Sequence, residues 1–363
     1  MNIIQKLLDL AIQIQQIPAP TFEEARRADF LRPLFVHEGL EDISVDSIGN
    51  VFALLKGKGQ GKPLIVCAHM DTVFPMGTNL QIKQEAERIF GPGLGDNSLG
   101  VAALFGLSWL LHERKISLPG DLWLVADVCE EGLGDLRGML AVADRFGTGV
   151  QGYLIIEGLA LGHVYHRAVG VKRYRVTART AGGHSWSDYG RPSAVHELSR
   201  LVTMLTALQL PSEPRTTMNV GKIAGGTSVN VIASEASMEL DLRSEGGQAL
   251  ADLVSAADRL IHAANKLGVN VEAEVIGQRP TGELAAGHPF VRLAEDCLRE
   301  QGVDSLLTSG STDANIPLSR GISAVVLGVT KGGGAHTAHE FIQTAPVAQG
   351  MEQLVSFVSR VWD

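Results

Sequence analysis

Short, continuous apolar runs punctuate the first half of the chain. Residues 63–71 (PLIVCAHMD), 121–131 (DLWLVADVCEE) and 152–158 (GYLIIEG) each read as a strand buried on both faces, as does 322–329 (ISAVVLGV) further on. Between them the spacing predicts helices over 98–112 and 290–301. The opening residues 1–18 read as an amphipathic helix and not as a signal segment, because Asp9 and several glutamines interrupt the apolar positions. Continuous apolar strands separated by helices imply an α/β domain built on a largely parallel sheet.

The middle of the chain has a different rhythm. Residues 171–180 alternate apolar and polar positions, a helical pattern covers 194–210, residues 216–226 and 235–244 alternate again, a second helical pattern covers 248–267, and 269–277 closes the block. Strand, helix, strand, strand, helix, strand is the ferredoxin-like order. Arg, Glu and Lys on alternate strand positions give a sheet with one buried and one solvated face. A chain of 363 residues is too long for one ordinary domain. The expected division is a catalytic, metal-binding domain over 1–168 and 283–363 with an inserted α+β lid over 169–282.

The formal net charge of −9 and pI near 5.7 leave no basic surface for nucleic acid. Three cysteines, Cys67, Cys129 and Cys297, form no disulfide framework. The apolar stretch 101–111 is too short to span a bilayer. These features point to a soluble chain in a reducing, cytoplasmic setting, without a membrane partner.

In an open parallel sheet, ligands bind beyond the carboxyl ends of the strands. The first apolar run ends in His69 and Asp71, the second in Glu130 and Glu131, and the third in Glu157. The fourth leads into a glycine-rich loop carrying His336 and His339, and Asp96 lies in GPGLGDNSLG just before a helix. Imidazoles with carboxylates and no thiolate suit zinc, with cobalt or manganese as substitutes. Five ligands exceed what one open catalytic zinc needs. They suit two ions about 3.5–4 Å apart that share a carboxylate, for which Asp96 is the natural bridge, and that lower the pKa of a shared water to roughly 7. The glycine clusters do not support nucleotide binding. GPGLG lacks the dinucleotide spacing, and GKGQGKP has Pro63 where a phosphate loop needs Ser or Thr.

The ordered set H-M-D-T-V-F-P (69–75), G-D-N (95–97), E-E-G (130–132), E-G (157–158) and H-T-A-H-E (336–340) resembles the dinuclear zinc peptidase and deacylase family. That family includes glutamate carboxypeptidase, acetylornithine deacetylase, succinyl-diaminopimelate desuccinylase, aminoacylase and tripeptidase T. The resemblance implies that His69 and Glu157 hold one metal, Glu131 and His336 the other, and Asp96 both. It makes Glu130 the general base and acid and Asp71 the brace of His69, and it leaves His339 on a variable position. In the lid, GGHS (182–185) resembles the segment whose His, here His184, stabilises the oxyanion, usually in the partner subunit. Asn230 and Arg243 match the polar and carboxylate-binding substrate contacts, although Arg243 also suits a solvated strand face. Ser309 and Gly310, in SGSTDAN, match a loop near the substrate carboxylate. Asp313 reads as a helix cap outside the site.

Glu at 157, where the family's aminopeptidases tend to have Asp, favours a carboxypeptidase or deacylase acting on a small peptide or N-acyl amino acid, and HMDTVFP looks most like the glutamate carboxypeptidase branch. The alternatives are a tripeptidase-type aminopeptidase and, more remotely, a metal-binding scaffold without activity. The resemblance also implies a homodimer through the lid.

Overall fold

The apolar runs of the first half become the centre of a nine-stranded mixed sheet. The structure, a computed structural model, describes residues 2–363. Its contacts divide the chain into two units, one of residues up to Ala168 with Gly282–Asp363 and the other Val169–Thr281.

In the first unit the sheet order is Glu41–Val45, Val51–Leu55, Gly120–Asp127, Gly61–His69, Gly152–Glu157, Ala324–Gly328, His163–Ala168 and Gly282–Glu283, with Leu306–Gly310 also pairing to His163–Ala168. The four central strands, from Gly120–Asp127 to Ala324–Gly328, run parallel, and the flanking pairs beside them are antiparallel. Gly61–His69 shows why these strands carry no polar alternation. Leu64, Val66 and Ala68 enter one apolar cluster, Ile65 and Cys67 enter another on the opposite face, and all five are fully buried. The first cluster is closed by helices Ile3–Gln15, Leu99–Glu113, Pro289–Glu300 and Val347–Arg360, the second by Arg137–Phe146. Helix Leu99–Glu113 is apolar all round because its first ten residues are buried core. The three cysteines are free and buried.

A second, smaller sheet of the same unit matters for the site. Lys83–Gln84, Arg88–Phe90, Phe341–Gln343 and Gly332–Gly333 pair antiparallel. The loop that carries His336 leaves and re-enters this sheet, and Arg88–Phe90 leads directly to the Asp96 loop.

The second unit has strands Gly170–Thr180, Thr216–Gly225, Glu235–Ser244 and Val269–Arg279, in the spatial order second, third, first, fourth, all antiparallel. This is the ferredoxin-like arrangement. Helices Ala194–Thr206 and Gly247–Ala263 cover one face, over Val176, Ala178, Met238, Leu240 and Leu242. The other face is a lattice of cross-strand ion pairs. Arg179 meets Glu235 and Glu272 at 2.9 and 3.0 Å, Arg175 meets Glu274 and Glu239 at 3.2 and 3.5 Å, and Arg173 meets Asp241 at 2.9 Å. Period-two alternation puts one set of side chains against the helices and the other in solvent, where the paired residues face each other across the register, except that Arg179 reaches Glu272 diagonally.

Candidate metal centre

Adjacent parallel strands ending at one rim bring their terminal residues together. His69 ends its strand, and Glu157 ends the neighbouring one. His69 Nε2 lies 3.3 Å from Asp96 Oδ1 and 3.8 Å from Glu157 Oε2. The other oxygen of Asp96, Oδ2, lies 3.0 Å from His336 Nε2, which is also 3.1 Å from Glu131 Oε1. Two imidazole–carboxylate nests therefore share one carboxylate. The donor atoms of His69, Asp96 and Glu131 fall within 4.8 Å of one another.

The electrostatics favour a cation here. Burial pushes the Glu157 carboxyl well above its usual range, against the pull of His69. Burial also works against charge on His69, yet contacts with Asp71 and Asp96 raise it well above an ordinary imidazole. Asp96 and then Glu131 raise His336 to about 10. Burial would raise Asp96, but His336 and His69 hold it below the ordinary carboxylate range. Imidazoles that cling to protons among crowded carboxylates report a strongly negative site, and a divalent ion could displace those protons. The donor set of two imidazoles and three carboxylates fits two ions of the zinc type.

A further carboxylate organises the rim. Asp71, fully buried, accepts from the backbone N–H of Glu130 at 3.0 Å and of Glu131 at 2.9 Å, and from Thr21 Oγ1 at 2.8 Å. His69 Nδ1 lies 3.1 Å from the Asp71 carbonyl oxygen and 3.5 Å from its carboxylate. A bound ion that displaced the Nε2 proton would leave Nδ1–H donating here and the Nε2 lone pair for the ion. Arg27, buried beneath, donates to the Met70 carbonyl and fixes the same strand end.

Glu340 does for Asp96 what Asp71 does for the glutamates. Its buried carboxylate accepts from the N–H groups of Gly93 (2.8 Å), Gly95 (2.6 Å) and Asp96 (2.9 Å). Burial raises it to about 7 despite these donors. Asn97 ties the same loop to the Glu157 strand, donating to Ile156 O at 2.8 Å and accepting from Gly158 N at 2.9 Å. Sequence reasoning assigns neither residue a role; the only signal is their place in the H-T-A-H-E and G-D-N motifs.

Asp313 is not a side-chain helix cap. It is fully buried against Asp127, and among the described residues no N–H or hydroxyl donor reaches either carboxyl. Burial raises Asp127 to about 6 and pushes Asp313 well above the usual carboxylate range. Two such carboxyls can bond to each other only if a proton stays between them.

The remaining candidates lie elsewhere. Ser309 and Gly310 end a strand of the first unit beside Arg167 and Ala168. His184, Asn230 and Arg243 belong to the second unit. His184 and Asn230 are exposed and adjacent, with His184 paired to Val231 and Ser185 N donating to Asn230 O at 3.0 Å. Arg243 extends the ion-pair lattice, its Nε 2.6 Å from Asp241 Oδ2.

The model of peptidase family M20/M25/M40 matches residues 65–360. The Bacillus subtilis protein YqjE is 26% identical over 376 aligned residues, spanning 98% of this chain and 96% of that one. The succinyl-diaminopimelate desuccinylase of Corynebacterium glutamicum is 25% identical, over 64% of this chain and 65% of its own length. In structure, the chain superimposes on aminopeptidase PepT from Bacillus cereus with a TM-score of 0.82, covering 99% of each at 23% identity, a likeness of fold.

Proposed function

This chain belongs to peptidase family M20/M25/M40, and we propose that within it the protein is a two-metal hydrolase of carboxypeptidase or deacylase type, cutting the amide bond of a small peptide or N-acyl amino acid. The observation that carries this reading is the pair of imidazole–carboxylate nests joined through Asp96. His69 and Glu157 would hold one ion, Glu131 and His336 the other, and Asp96 both. Zinc suits these donors best, with cobalt or manganese as substitutes. When bound, the ions supply Lewis acidity that polarises the scissile carbonyl and acidifies water.

The protein's own groups supply the rest. Glu130 takes the proton of the attacking water and returns it to the leaving amine. Asp71 fixes the backbone beneath Glu130 and Glu131 and so sets where both side chains start. His184 donates a hydrogen bond to the developing oxyanion. Arg243 and Asn230 receive the free carboxylate of the substrate, and N–H groups of the Ser309–Gly310 segment assist. The second unit acts as lid and homodimer contact. Glu157, in place of Asp, supports acylated or carboxypeptidase substrates over a free amino terminus.

The test is a panel of N-acyl amino acids, dipeptides and tripeptides assayed with zinc. N-acyl amino acids or C-terminal cleavage should dominate, chelation should abolish turnover, and zinc or cobalt should restore it. Full activity in metal-free protein, or turnover confined to free amino termini, would refute the reading.

A further inference from the structure

The loop that carries His184 is held by hydrogen bonds, not by packing. Its large side chains point into solvent: Trp186 is 87% exposed and Tyr189 91%. With no apolar burial to fix it, the loop's shape must come from polar contacts, and these centre on Asp188. The Asp188 carboxylate accepts from the backbone N–H of His184 at 2.8 Å, and its own N–H donates to the His184 carbonyl at 3.0 Å. Its other carboxylate oxygen pairs with Arg191 at 3.0 Å. The base of the loop is pinned by the Gly183–Ile232 and His184–Val231 pairing.

Inside this closed loop the His184 ring turns back on its own backbone. Nδ1 lies 3.2 Å from Trp186 N and 3.4 Å from Ser187 N. A backbone N–H can only donate, so Nδ1 must present a lone pair, and a neutral ring then carries its proton on Nε2. Gly183 leaves room for the arrangement. Its φ is 152°, and a Cβ there would lie 2.8 Å from Asp188 Oδ2 and 2.9 Å from Asp188 Cβ. The second glycine of G-G-H-S is thus the space in which the Asp188 side chain sits.

We propose that Asp188 is a positioning residue that closes the 184–188 loop and presents His184 as a neutral imidazole with its proton on Nε2. Such a ring offers a hydrogen-bond donor outward and no outward lone pair. It can meet a developing oxyanion, and through that atom it can act neither as a base nor as a metal ligand. The inference deepens the role given to His184 above and rests on that reading for its catalytic consequence, not for the loop itself.

The test uses full-length protein labelled with [15N]histidine, with the His184 ring assigned by the signals lost in His184→Gln. Two-bond 1H–15N correlations at pH 8 should show a bare Nδ1 and a protonated Nε2. Asp188→Ala should move the ring shifts toward tautomer-averaged values and speed amide exchange in peptides spanning 185–188 about tenfold, with exchange around Glu130 unchanged. Losing the aim of one donor should lower kcat about tenfold with KM little changed, part of the ~10²–10³-fold that deleting such a donor costs. Asp188→Asn keeps a carbonyl oxygen for His184 N–H and should recover most of the loss. A proton on Nδ1 in the parent protein, or ring shifts and exchange unmoved in Asp188→Ala, overturns the proposal. Parent-level kcat in His184→Gln overturns the role of His184 in the reaction, while the ring and exchange measurements still decide the loop.

Discussion

The rim of the first unit and the exposed candidates of the second place their polar groups by opposite means. At the rim, buried carboxylates set position: Asp71 gathers the backbone of Glu130 and Glu131, and Glu340 gathers that of Gly93, Gly95 and Asp96. In the second unit, His184, Asn230 and Arg243 are held by short-range contacts in solvent. A group fixed from beneath by buried hydrogen bonds loses its place only at a large cost in stability. A group fixed by exposed contacts can be lost with the fold intact. The two regions should therefore fail differently when altered.

The largest effect should come from the rim's two adjacent glutamates. Glu130→Gln keeps size and removes the base, so kcat should fall ~10²–10⁴-fold, about 3–5 kcal/mol of barrier, with two ions still bound per chain. Glu131→Gln should lose one ion and activity with it. Metal content measured beside kcat at saturating zinc separates the two, and near-normal kcat in Glu130→Gln would reverse the assignment. Glu340→Ala should come next, seen first in stability. It strands three backbone donors, at about 1–3 kcal/mol for each that stays buried and unpaired. Denaturant unfolding should show a loss of about 3 kcal/mol or more, and a loss under 1 kcal/mol would mean that the Asp96 loop is held some other way.

Arg243→Ala tests the exposed region. A charge-assisted contact to a substrate carboxylate contributes about 1.5–3 kcal/mol, so KM for carboxylate substrates should rise roughly 10- to 100-fold with the unfolding midpoint little changed. Unchanged KM would leave Arg243 as part of the ion-pair lattice alone. The smallest effect should be at Glu197, whose carboxylate meets Arg200 and, at 2.7 Å, Lys266. Burial would raise its pKa, but Lys266 and Arg200 hold it below the usual carboxylate range. A depressed folded pKa means that its stabilisation is present above the unfolded value and is lost as pH falls through the folded one. Glu197→Ala should cost about 0.5–1 kcal/mol at neutral pH, and the difference from the parent should vanish in acid. A difference that persists at low pH would point to packing.

The sheet core was legible because strands buried on both faces have few polar positions to blur the pattern, and three of the four runs end on His, Asp or Glu. The second unit was legible for the opposite reason, its strict alternation. The helix predicted over 194–210 stops at Thr206, since Leu208 and Leu210 reach the core from an irregular tail before Pro211. What stayed hidden is long-range. The small sheet that sets the His336 loop beside the Asp96 loop uses strands of two or three residues, too short to show any period. The bonds from Glu340 reach back 244 to 247 residues to backbone groups, which have no side-chain signature. Asp313 reads as a cap because its partner, Asp127, lies inside an apolar run on a distant strand.

The ion-pair lattice on the open face of the second unit constrains how a second copy can attach. Pressing that face against a flat apolar surface would strip water from Arg173, Arg175 and Arg179 and their acidic partners, several kcal/mol for each ion left without equivalent contacts. The outermost strands, Thr216–Gly225 and Val269–Arg279, each pair on one side only and offer main-chain N–H and C=O groups to a neighbour at no such cost. A homodimer through this unit should therefore join strand to strand or helix to helix, bringing the mass in light scattering to about twice the 38.7 kDa of one chain. Because the lattice stays wet in that assembly, raising the ionic strength should leave the dimer intact, whereas a dimer that dissolves in salt would have to be held by the charged face itself.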